Sequence, residues 1–84
     1  METLLALTVL RLINFGFGVN MGGKNSNMVS LENRKGNKVY VKVIDDTIEV
    51  SAYKVSARCY HKKIYSFSDI DIIVNEIITK LNMK

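Results

Sequence analysis

The sequence contains no proline and no tryptophan, and only one cysteine and one histidine. Without proline, every turn has to be made by glycine, asparagine, aspartate or serine. The single cysteine, Cys59, excludes an intrachain disulfide and gives no sign of an oxidising compartment. Cys59 and His61 supply two metal ligands where a zinc site needs four, so no metal site is expected. A long uninterrupted apolar run is missing too. The apolar N-terminus METLLALTVLRLINFGFG starts with Glu2, is cut by Arg11 and Asn14, and has no basic leader, which fits neither a signal peptide nor a membrane span. A cytoplasmic chain with no membrane partner is expected.

What is present is enough for one small domain spanning residues 1–84. Hydrophobic residues make up 48% and charged residues 24%, a balance that favours a packed core over disorder. Chains of this size bury only about 60–65% of their unfolded surface, so stability is thin and self-association is a natural outlet. The net charge of +4 is concentrated between Lys24 and Lys63, where nine Lys or Arg face four acids, Glu32, Asp45, Asp46 and Glu49. A basic middle suits an acidic partner, although a solvated basic surface has the same composition.

The clearest local signal is KVYVKVIDDTIEVSA, residues 38–52. Val39, Val41 and Val43 alternate with Tyr40, Lys42 and Ile44, and the alternation resumes at Ile48, Val50 and Ala52, the period of half-buried strands. Pairing the two runs across Asp45-Asp46 sets Val43 against Ile48, Val41 against Val50 and Val39 against Ala52, all on one face. Lys42 then faces Glu49 on the other. One turn earlier, Arg34-Lys35-Gly36 forms a three-residue hairpin loop with Gly36 in the left-handed position, which sets Leu31 against Val39 and Val29 against Val41. Before that, Ile13, Phe15, Phe17, Val19 and Met21 alternate with Asn14, Gly16, Gly18 and Asn20, the pattern of a first strand, joined to the next by a loop at Gly22–Ser26. Residues 3–12 fit a short helix or the start of that strand. Codons for Gly18-Val19-Asn20-Met21 can spell a ribosome-binding sequence, which leaves residues 1–20 open as a peripheral or mis-assigned extension.

At the C-terminus the period changes. Ser68 is placed to cap a helix, Asp69 and Asp71 suit its first turn, and Phe67 is placed to staple onto Ile72. Ile70, Ile73, Val74, Ile77, Ile78 and Leu81 form one apolar stripe. Between them and Tyr53, Ile64 and Tyr65 suggest a fifth strand after a loop near Ser56–His61.

Gly18-Val19-Asn20-Met21-Gly22-Gly23-Lys24 has the spacing of a phosphate-binding loop, but Asn25 stands where Ser or Thr is required and a strand follows where a helix should open. A turn is expected, with no nucleotide or other cofactor. Cys59 and His61, neighbours on one strand, rarely face each other as a nucleophile and its base. The remaining acids are accounted for by turns and helix capping, so no enzyme and no small-molecule substrate are indicated.

The expected architecture is α+β, an antiparallel four- to five-stranded meander with one C-terminal helix on its apolar face. Small single-stranded DNA binders among the transcriptional coactivators share that layout, but no family motif accompanies it. The expected function is non-catalytic: an interaction module acting through a protein partner or self-association, with a free sheet edge or the strand bearing Phe15 and Phe17 as the candidate protein interface. The alternative is single-stranded nucleic-acid binding through Arg34, Lys35, Tyr40, Lys42 and Tyr53. Richness in Lys, Asn and Ile associates the chain with AT-rich phages and mobile elements.

Overall fold

A computed structural model describes residues 2–21, 28–54 and 57–81. The elements run α1 (Glu2–Asn14), β1 (Gly18–Met21), β2 (Met28–Glu32), β3 (Lys38–Ile44), β4 (Thr47–Lys54), β5 (Ala57–Ile64) and α2 (Phe67–Lys80). The strands form one antiparallel sheet in the order β1-β2-β3-β4-β5, each beside its neighbour in sequence.

The central hairpin pairs as its alternation requires: Val39 with Ala52, Val41 with Val50, Lys42 with Glu49 and Val43 with Ile48. Asp45 makes the tight turn in the left-handed region at φ 54°, and the Thr47 hydroxyl donates to the Ile44 carbonyl at 3.1 Å. The β2–β3 hairpin also keeps its expected register, Val29 with Val41 and Leu31 with Val39. Its loop closes on Asn33, whose side-chain oxygen accepts from the backbone N–H of Lys35 at 3.0 Å and Asn37 at 2.9 Å. Gly36 sits at φ 83°.

Of the two readings open for residues 3–12, the helix is the one that forms, and it runs on to Asn14, into the strand expected from Ile13 to Met21. In this helix Leu4, Thr8 and Leu12, four residues apart, are buried in line. Thr8 reaches the core without an orphaned hydroxyl because Oγ1 donates to the Leu4 carbonyl at 2.8 Å. The helix stops at Gly16, φ 99°. Gly16 N–H donates to Ile13 O at 3.0 Å and Phe17 N–H to Leu12 O at 3.2 Å, the paired bonds of a Schellman terminator, with Phe17 and Leu12 both buried beside it. Gly16 is therefore a helix stop and not a strand interior, and only Gly18–Met21 remains as strand. Residues 1–20, left open as peripheral, place Leu4, Leu12 and Phe17 in the core.

At the other end, three details change. The N-cap is Ser66 rather than Ser68. Asp69 completes it, its carboxylate accepting from the backbone N–H of Tyr65 at 3.1 Å and of Ser66 at 3.2 Å. Phe67 and Ile72, expected to staple, are 59% and 60% exposed. The region Ala57–His61, expected as loop, belongs to β5; Ser56 and the loop at Gly22–Ser26 lie outside the described residues.

The molecule has two layers. Both helices cover the face carrying Val39, Val41, Ile48 and Val50; α2 packs against β5 and α1, and α1 against β3. All six residues of the expected α2 stripe, Ile70 through Leu81, are buried. Arg11 and Asp71 link the helices at 3.2 Å, but both side chains are more than half exposed, so the pair contributes little. Among the described residues, no helix is long and apolar enough to cross a membrane.

Candidate binding surfaces

Because the sheet is covered on one side only, alternation delivers every second residue to a face without a helix. On β3 and β4 these residues are Lys38, Tyr40, Lys42, Glu49, Ser51 and Tyr53. Register extends the row onto β5, with Lys63 beside Glu49, His61 beside Ser51 and Arg58 beside Tyr53. Tyr40 and Tyr53 meet edge to face with ring centroids 5.4 Å apart. The structure thus gathers Tyr40, Lys42 and Tyr53 on one surface. Arg34 and Lys35 stand apart from them at the exposed β2–β3 turn. Glu49 is hemmed in: Lys42 and Lys63 flank it in register, and its Oε1 lies 3.2 Å from His61 Nε2.

Phe15 and Phe17, expected to act together, are separated by the helix terminator. Phe15 is 45% exposed, whereas Phe17 is 3% exposed and belongs to the core, so Phe17 is corrected from interface to packing residue. Phe15 shares the α1–β1 region with other exposed apolar side chains, Leu10, Ile13 and Val19.

The sheet has two edges, β1 and β5, and they differ. β1 is four residues long and uncharged, GVNM. β5 is eight residues long, ARCYHKKI, with three permanent cations and no acid. A bulge interrupts its pairing with β4: Ala52 pairs with Tyr60 and Tyr53 with Arg58, so Cys59 is the extra residue. Cys59 packs at the margin of the core, while the His61 ring meets Glu49 on the open face.

Beside β5 lies a feature absent from the sequence reading. The strand and α2 enclose a groove of about 540 Å³, lined by Cys59, Tyr60 and Lys62 from the strand and Glu76, Thr79 and Lys80 from the helix. Its inner wall is held by the Tyr60 hydroxyl, which donates to the Glu76 carboxylate. Burial, then that hydrogen bond and the Glu76 charge, push the Tyr60 phenol well above its ordinary value, so it stays a donor. Among the described residues, Lys62 and Lys80 have no carboxylate partner, and no group of three or more His, Cys, Asp or Glu side chains is placed to hold a metal ion. The only sequence signal for the groove was the basic run at 58–63. Tyr60 and Glu76 are sixteen residues apart, and only the packing of α2 onto β5 brings them together.

No protein-family model matches the chain, nor does any curated protein or solved structure.

Proposed function

We propose that this chain is a non-catalytic recognition module that takes an extended segment of a partner protein at the open edge of its sheet. One observation carries the reading: β5 is an eight-residue edge strand with a helix standing beside it, so that its unpaired backbone side opens into a groove. An added strand finds main-chain hydrogen bonds along the edge and side-chain contacts on the helix wall, the combination used in strand-addition recognition. The four-residue β1 edge offers fewer such bonds.

The experiment is capture from native host extract by immobilised protein, with nuclease treatment throughout. A partner retained after nuclease, and lost once Cys59 has been capped by a bulky maleimide, supports the reading, provided the capped protein keeps its melting transition. Partners insensitive to the cap refute it.

A second reading is favoured by a separate observation, the Tyr40–Tyr53 pair among Lys38, Lys42, Arg58 and Lys63 on the uncovered face. Single-stranded nucleic acid would stack its bases on the tyrosines and lay its phosphates on the lysines. Anisotropy of a labelled oligothymidylate decides it. Affinity that falls steeply with salt and weakens in the Tyr40→Ala, Lys42→Ala double variant supports it; absent or salt-insensitive binding removes it.

A further inference from the structure

We infer that the β5–α2 groove selects an acidic strand, an extended partner segment with carboxylates at alternate positions; this rests on the strand-addition reading above. The warrant is charge complementarity along one edge. Lys62 lines the groove from β5 and Lys80 stands across it on α2, while Arg58 and Lys63 leave the same acid-free strand on the open face. Among the described residues, Glu76 is the only carboxylate lining the groove, and it accepts the Tyr60 hydroxyl in a charge-assisted hydrogen bond.

Lysine on an edge strand ordinarily serves to keep other strands off. A second copy of β5 would bring three more cations and no acid against this edge, so self-pairing here is disfavoured. A basic strand is repelled in the same way. An acidic strand with its carboxylates on the groove side turns the repulsion from Lys62 and Lys80 into an attraction, so lysines that guard the edge also specify its partner. A polypeptide is favoured over nucleic acid at this site because an edge strand reads main-chain N–H and C=O groups at strand spacing, which a sugar–phosphate chain does not present.

The test uses the whole protein and three peptides matched in length to β5, alternating Val with Glu, Gln or Lys. Binding is followed by backbone amide shifts, and independently by the rate at which iodoacetamide alkylates Cys59, the only thiol in the chain. The Glu-Val peptide is expected to shift β5 and α2 amides, slow alkylation, and bind about tenfold tighter than Gln-Val, with the Lys-Val peptide weakest. Because Lys62 and Lys80 are both exposed, the Lys62→Glu, Lys80→Glu double variant is expected to fold and to invert that order. Raising salt should erase most of the discrimination. If Gln-Val and Glu-Val bind β5 equally, the acidic preference is wrong while strand addition stands. If no peptide perturbs β5, both fall. Displacement of the Glu-Val peptide by an oligothymidylate in a manner that depends on Lys62 and Lys80 would overturn the choice of a polypeptide.

Discussion

Replacing Leu12 by alanine tests whether the N-terminal helix is part of the folded unit. Leu12 is fully buried, lies in line with Leu4 and Thr8, and abuts Phe17 at the helix terminator. Removing a leucine side chain from such a site costs its transfer free energy plus the cavity left behind, about 3–4 kcal/mol. A chain of this length has a total stability of roughly 4–13 kcal/mol, so the loss is a large fraction of it. The control is Leu10→Ala on the same helix: Leu10 is 54% exposed, and truncating it should cost about 0.5 kcal/mol or less. Urea titration monitored by circular dichroism measures both. The expected result is a midpoint for Leu12→Ala far below wild type, with the slope m unchanged and Leu10→Ala close to wild type. Equal, small effects at both positions would mean that α1 is not docked, and the two-layer description would fail with it.

Other consequences can be checked on the same instrument. Gly16→Ala should destabilise by about 1 kcal/mol, because a Cβ meets nothing within 4 Å but the residue must hold φ 99°; a neutral result would contradict the helix-stop assignment. Asp69→Ala should cost about 1 kcal/mol by releasing the N–H groups of Tyr65 and Ser66, and Asp69→Asn less. Tyr60→Phe should lose about 1 kcal/mol near neutral pH. The raised phenol makes that difference pH-dependent: the folded state holds the Tyr60 proton more tightly than the unfolded state, so wild type keeps its advantage below the ordinary tyrosine value of 10.0 and loses it as pH climbs beyond. An advantage that grows above that value would contradict the Tyr60–Glu76 hydrogen bond.

The parts legible in the sequence were those governed by a single period over a continuous run. Val39–Ala52 has one apolar face in only one register, so even the Lys42–Glu49 pairing could be read in advance. The α2 stripe is legible for the same reason. The N-terminus misled because Ile13, Phe15 and Phe17 alternate with polar or glycine residues, although Asn14 ends a helix and Gly16 terminates it. Period two and a helix stop give the same letters there, and only the bonds to Leu12 and Ile13 distinguish them. Residues 57–61 failed differently: a bulge at Cys59 breaks the period, and at the edge Lys62 stays exposed although its pleat turns toward the helices, so the burial alternation that marks an inner strand is blurred. The outer-face trio Tyr40, Lys42 and Tyr53 followed from register. The groove did not, since no local pattern records which helix face comes to lie against which strand edge.

The most direct test of the account is hydrogen exchange along β5 in the free protein and with the Glu-Val peptide bound. Alternate β5 amides, those directed away from β4, should exchange rapidly in the free chain and become protected on binding, while the amides facing β4 stay slow in both states. Unchanged exchange at the outward β5 amides in the presence of saturating peptide, or protection appearing instead on β1 or around Tyr40 and Tyr53, would contradict recognition by strand addition at this edge.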